Sequence, residues 1–267
     1  MAITLSLRQP AEIWSQCRVV ISIGTAAATA GIVLGSAVLQ RAVGFGFALF
    51  AVPLMAFVLP TKSAVVVAFL TGSAISAWLT VRLRADIVWS VARRLGAGTA
   101  LGAPIGVVVL RAVPAETLRL VLGITTCVAA LWIIVSTRLP ARDAAVLPGS
   151  STLALGLAAG ALNTSLATSG PPLVYALRRI GLHDDHFRAT ISAVFVVANV
   201  IGLPLLATAN LITSVDVHLA AACLVPCALG TGVGAQLGAR MNSAHFIWAA
   251  DLLLLATGVL TITRALA

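Results

Sequence analysis

The chain has 267 residues, 60% of them hydrophobic and only 9% charged, and its mean hydropathy is +1.07. Soluble domains carry about 25% charged residues, so a water-soluble globular protein is excluded and lipid is the expected solvent. The net charge of +9 does not mark a nucleic-acid binder: the arginines flank apolar runs, where orientation and anionic head groups account for them.

Ten apolar runs follow one another, at about 17–40, 43–60, 63–83, 88–110, 117–136, 147–168, 171–181, 187–209, 215–239 and 246–263. At roughly 20 residues per crossing they predict an all-α polytopic membrane protein of eight to ten transmembrane helices, forming one membrane domain over 1–267. The first run is longer than the roughly 7–15 apolar residues of a signal peptide, so it is read as a retained helix. The second run carries Gly44, Gly46, Pro53 and Pro60, and the seventh carries Gly170, Pro171 and Pro172. Both read as broken or half-depth helices. Irregular backbone at membrane depth is tolerated only where protein or a watery cavity satisfies it.

Cytoplasmic loops carry an excess of Lys and Arg. If all ten runs cross with the N-terminus outside, Arg41, Arg82, Arg84, Arg93, Arg94, Arg138, Arg142, Arg178, Arg179, Arg188 and Arg240 lie inside. Only Arg8, Arg18, Lys62, Arg111, Arg119 and Arg264 then lie outside, which favours both termini outside. If the second and seventh runs re-enter instead, eight crossings remain and Arg82 and Arg84 move outside.

A glycine ladder in the fourth run, Gly98, Gly102 and Gly106, recurs 132 residues later in the ninth as Gly230, Gly234 and Gly238. The flanking order of spans recurs with it, predicting repeat one over about 17–136 and repeat two over about 147–263. Five runs per half predict inverted halves, the architecture of many secondary transporters, whose substrates sit at interrupted helices. Four crossings per half would make them parallel. Spacing of four puts each ladder on one helix face, so the ladders are expected to serve close packing.

The densest polar segment in an apolar setting runs from Ala161 to Pro172 and includes Asn163, Thr164, Ser165, Thr168, Ser169 and Gly170. Ser169 suits a helix cap and the prolines suit a first turn. A helix start inside the membrane directs N–H groups and positive partial charge at its surroundings, which favours an anion. The first-half counterpart, Gly44-Phe45-Gly46, offers close backbone approach. The alternative is that these small residues only pack or kink helices.

Ionisable groups within spans are costly. Arg188, at the start of the eighth run, either binds an anion through its paired donors or anchors topology; Arg41 is equally ambiguous. Asp251, inside the last run, either couples a proton or sodium ion or pairs with an arginine. Asn199 is a midplane hydrogen-bonding group or a link between helices. Cys223 and Cys227 share a helix face and read as small buried residues, or as thiols touching a sulfur-containing substrate. His183 and His186 flank Asp184 and Asp185 in what reads as a solvated loop. There is no GxSxG, HExxH or P-loop, so neither an enzyme nor a bound metal or cofactor is expected.

Several motifs in order resemble the TauE/SafE sulfite exporter family: Gly44-Phe-Gly46 leading to Val52-Pro53-Leu54, then Gly156, Gly160, and Ser169-Gly170-Pro171-Pro172-Leu173. Phe187-Arg188-Ala189-Thr190, Ser192-Ala193-Val194-Phe195 and Asn199 follow, and the resemblance spans about 22–263. It implies a permease for small sulfur-containing anions, such as sulfite, thiosulfate or organosulfonates, in a bacterial inner membrane. The sequence departs from the family pattern at Asn163, Thr164, Ser165 and Thr168, where glycine is usual. The expectation is therefore a multi-pass carrier working by alternating access, with Gly44, Gly46, Asn163, Thr164, Thr168, Ser169, Gly170, Arg188 and Asn199 at the substrate and Asp251 at a coupling ion. A carrier of another organic solute, an intramembrane enzyme and a scaffold are the rival readings.

Overall fold

The computed structural model describes residues 22–43, 46–138, 148–240 and 243–266, and among these the only long regular elements are α-helices. The first five are α1 (Ile23–Val43), α2 (Phe47–Met55), α3 (Thr61–Arg82), α4 (Trp89–Ala112) and α5 (Ala115–Arg138). The second five are α6 (Gly149–Leu166), α7 (Gly170–Arg179), α8 (Asp184–Thr208), α9 (Ser214–Arg240) and α10 (Ser243–Leu266). They coincide in order with the ten apolar runs. Helices satisfy every backbone donor and acceptor within the segment, which an apolar solvent demands. Hydroxyls follow the same rule: Thr71 donates to the Val67 carbonyl at 2.8 Å and Thr126 to that of Leu122 at 2.7 Å.

Six helices, α1, α3, α4, α5, α8 and α9, are long and apolar enough to cross a membrane. Their outward faces carry Leu101, Ile105 and Val108 on α4 and Val225 and Leu229 on α9, all exposed, while Thr164, Thr168 and Ser169 are buried. An apolar outer surface over a core that also holds buried hydroxyls departs from the pattern of a water-soluble domain. By contrast α2 has nine residues and α7 ten. At about 1.5 Å per residue, each covers roughly half of a ~30 Å hydrocarbon core.

Named contacts set the helix directions. Arg41 at the end of α1 lies within electrostatic reach of Arg82, at the end of α3, and of Arg188, near the start of α8. At the opposite end, Lys62 of α3 donates to the carbonyl of Arg111 in α4 at 3.2 Å. Therefore α1 and α3 both run toward what we term the arginine end, and the described residues 46–60 bring the chain to the opposite end, where α3 starts. In the second half, the Val88 N–H donates to Thr190 Oγ1 at 3.1 Å and His186 Nδ1 donates to the Asp86 carbonyl at 2.9 Å, fixing the start of α8 at the arginine end. Glycines 98, 102 and 106 lie level with Gly156, Ala161 and Thr164, so α6 runs parallel to α4 and also starts there. Residues 167–183 must then return across the bundle. The second and seventh runs are thus traversals made of a short helix plus irregular backbone, not loops that re-enter and leave on one side.

Three seams hold the bundle. The first ladder packs on α6: a Cβ at Gly98 would meet the Leu153 carbonyl and Gly156, and one at Gly102 the Leu157 carbonyl. The second packs on α1, with Gly230 against Leu34 and Ala37 and Gly234 against Val38 and Arg41. Each ladder therefore joins one half of the chain to the first helix of the other. The third seam sets α5 antiparallel to α10 through Gly123 and Gly258, where Gly258 approaches Cys127 and Gly123 approaches Ile262. Small residues allow backbones this close.

Candidate functional site

Both helix breaks open on one cavity of about 50 Å³ between α1, α2, α3, α6, α7 and α8. From the first half it receives Gly46 and the opening residues of α2, Phe47, Ala48 and Leu49; from the second, Ala167, Thr168, Ser169 and Gly170. Each break is made by a residue in the left-handed region. Gly46, the N-cap of α2, has φ 101°, and Ala167, which ends α6, has φ 57°. Glycine takes that conformation freely, whereas for alanine it is strained. The turn at Ala167 directs Thr168 and Ser169 inward, where they are 1% and 2% exposed.

A polar network floors the cavity. Asn163 Nδ2 donates to Asn199 Oδ1 at 2.8 Å, and the Ser169 hydroxyl donates to Asn163 Oδ1 at 3.0 Å. Asn199, with its oxygen engaged, keeps its NH2 group for the cavity it lines. Two buried atoms of cavity-lining residues have no hydrogen-bond partner among the described residues: the Thr168 hydroxyl oxygen and Gln40 Oε1. A buried polar group without a partner costs about 1–3 kcal/mol, and such atoms in a cavity wall suit a polar ligand. Among the described residues, no Lys or Arg lines this cavity.

The helix starts contribute unequally. The first turn of α2 aims N–H groups that no helical carbonyl reaches at Phe47, Ala48 and Leu49. In α7 the residues after Gly170 are Pro171 and Pro172, which have no N–H, so its first turn keeps its dipole with fewer donors. Ser169 precedes α7 but its side chain does not cap it; the hydroxyl is held by Asn163 instead.

The remaining sequence-predicted residues fall elsewhere. Thr164 does not line the cavity. Its hydroxyl donates to the Ala103 carbonyl at 2.7 Å and to that of Gly160 at 3.1 Å, fastening α6 to α4. Arg188 also lies outside the central cavity, in a smaller pocket toward the arginine end with Gln40, Arg41, Ile75, Leu79 and Thr231. It sits 3.8 Å from Asp185. Cys223 and Cys227 are buried in the apolar core around Val33, Phe47 and Val65 and line neither of these pockets. Gly44 and the side chain of Asp251 lie outside the described residues.

Sequence reasoning overlooked Gln40, which lines both pockets. The signal was a lone carboxamide in the last turn of an apolar run, directly before Arg41. It also overlooked Ser76 and Gly72 of α3, which line the wall facing α2.

A family model described as sulfite exporter TauE/SafE matches residues 27–261, nearly the whole chain. No curated protein and no solved structure gives a significant match.

Proposed function

Because the chain belongs to the sulfite exporter TauE/SafE family, whose members are multi-pass membrane transporters and not enzymes, we propose that the cavity joining the two helix breaks is its substrate site. The substrate on this reading is a small inorganic sulfur oxyanion, sulfite or thiosulfate, moved by alternating access across a bacterial inner membrane. The observation that carries the proposal is the meeting of Gly46-Phe47 and Thr168-Ser169-Gly170 at one cavity with polar groups in its wall.

Size favours the inorganic anions over organosulfonates. A water needs about 10–15 Å³ of such space, so about 50 Å³ suits roughly three to five heavy atoms in this conformation. Charge is met by dipoles: the N-termini of α2 and α7, the Asn199 amide and the Thr168 hydroxyl surround the space, with no fixed cation among the described residues. A site held by dipoles binds weakly enough to release its cargo, which a carrier requires.

The packing supports two inverted halves. Exchanging the first five helices for the second five maps the α4–α6 seam onto the α9–α1 seam, α4–α8 onto α9–α3, and α3–α8 and α5–α10 onto themselves. α1 and α3 run toward the arginine end, whereas α6 and α8 run away from it. Such halves can rock about a site between them. Coupling to a proton or sodium ion through Asp251 in α10 belongs to the same proposal. Its check is whether Asp251→Asn flux loses its dependence on the ion gradient.

The test is flux of sulfite, thiosulfate, a sulfonate and a carboxylate in proteoliposomes holding the full chain. Saturable flux of the two inorganic anions, lost in Asn199→Asp, is expected. Absence of anion flux in the unsubstituted protein overturns the reading, and faster transport of the larger sulfonate overturns the size argument.

A further inference from the structure

We propose that Arg41 and Arg188 form a second oxyanion site, a vestibule that captures the anion at the arginine end and passes it to the central cavity beside Gln40. This rests on the carrier reading above and adds a site to it. Arg41 comes from α1 and Arg188 from α8, one from each half, and both line a single pocket with Gln40, Ile75, Leu79 and Thr231. Four of its six lining residues are polar, Gln40, Arg41, Arg188 and Thr231, and Ile75 and Leu79 complete the wall. In this conformation the pocket has about 10 Å³, room for about one water, so an anion enters as the two like-charged guanidinium groups move apart around it, and it relieves their repulsion.

Among the described side chains, the charges acting on Arg41 are the like charges of Arg188 and Arg82 and the opposing carboxylate of Asp185. That carboxylate is 3.8 Å from Arg188 and 63% exposed, a loose and well-hydrated contact that an incoming anion can displace. Arginine suits the role because its planar fork pairs with two oxygens of an oxyanion at once.

Gln40 connects the two spaces. It is in the wall of both pockets, and its Oε1 is buried with no hydrogen-bond partner among the described residues. Rotation of the carboxamide brings its NH2 group to an anion on either side. The vestibule thus raises the local anion concentration electrostatically, while the neutral cavity beyond selects by size. The two tasks fall to different residues.

The experiment measures initial sulfite flux against concentration in proteoliposomes, with anion supplied at the arginine end, for the full-length protein and four variants. Arg41→Gln and Arg188→Gln are each expected to raise KM about tenfold, steeply reduced by added salt, with the effect falling on KM more than on maximal flux. Arg188→Lys is expected to recover part of the loss. Asp185→Asn removes the competing carboxylate and is expected to lower KM about two- to threefold, an outcome that misfolding cannot mimic. Thermal melting of each purified variant identifies any that fail to fold, and for these the Asp185→Asn result decides. Saturable flux with unchanged KM in the arginine variants, or in Asp185→Asn, overturns the vestibule and leaves the carrier reading standing. No sulfite flux in the unsubstituted protein overturns both.

Discussion

Asn163 donates its side-chain amide to the carboxamide oxygen of Asn199 at 2.8 Å, tying α6 to α8 beneath the cavity. The bond fixes which end of Asn199 is free: its NH2 group is left for a ligand. Asn199→Asp keeps the acceptor that Asn163 needs and replaces that donor with negative charge. Sulfite-induced thermal stabilisation of the purified protein is expected to fall at least about tenfold in apparent affinity, since hydrogen bonds to charged groups contribute about 1.5–3 kcal/mol. An unchanged stabilisation would remove Asn199 from the site.

Thr164 and Thr168 stand four residues apart and make opposite predictions. The Thr164 hydroxyl already has two protein acceptors. Thr164→Val should therefore cost about 1 kcal/mol of stability and leave anion affinity as it was. The Thr168 hydroxyl has no partner among the described residues. Thr168→Val should leave the melting temperature unchanged or raised while weakening sulfite binding several-fold. Paired melts with and without sulfite distinguish the two, and identical behaviour of both variants contradicts the assignment.

At the ladder, a Cβ on Gly102 would run into the carbonyl of Leu157, which is backbone and cannot swing aside. Gly102→Ala is expected to destabilise the bundle by about 1–3 kcal/mol through overpacking. Gly232, between ladder positions on α9, has nothing within 4 Å of a built Cβ. Gly232→Ala should instead gain about 0.5–1 kcal/mol from helix propensity. Chemical denaturation in detergent reads both, and a neutral Gly102→Ala would mean that the α4–α6 seam is looser than it looks.

The two left-handed residues differ in what a substitution does. At Gly46 a Cβ would meet only Phe50 and Leu49 side chains at ordinary distances of 3.6 and 3.9 Å, so the cost of Gly46→Ala is conformational. It should amount to about 1–2 kcal/mol. Ala167→Gly relieves the same kind of strain at φ 57°, offset by about 0.4–1 kcal/mol of added freedom in the unfolded chain. The melting temperature should drop in the first and stay level or rise in the second. A drop in both would point to packing lost at Ala167.

Much of the architecture was legible because lipid imposes a local rule. An apolar stretch of sufficient length must be helical even across a single proline, as at Pro104, Pro204 and Pro226, and α3, α4, α8 and α9 begin and end within a few residues of their apolar runs. Gly46, Pro53 and the Gly170-Pro171-Pro172 segment announced the short helices because their backbone preferences act locally. Even so, the run containing Asn163 to Ser169 gave no means of telling a free hydroxyl from an engaged one. Ala167 carries no signal for a left-handed turn, yet that turn separates Thr164, facing α4, from Thr168, facing the cavity. Gly123 and Gly258 form a seam as close as the ladders, but each is isolated within the long apolar part of its helix and belongs to no ladder of glycines spaced by four. Ser169 looked like a cap because capping is judged from neighbours in sequence; its actual partner, Asn163, precedes the helix break.

The sequence by itself determined the solvent, the order of the ten helices, the places where two of them break, and the face on which each ladder lies. These follow from composition, hydrophobic runs and backbone preferences, which act over a few residues. Only the tertiary structure decided that each ladder binds the opposite half, that both breaks meet at one cavity, and that Arg188 lies beside Arg41 outside it. Those outcomes depend on which surfaces approach closely enough to pack, a property of pairs of helices distant in the chain that no single segment carries.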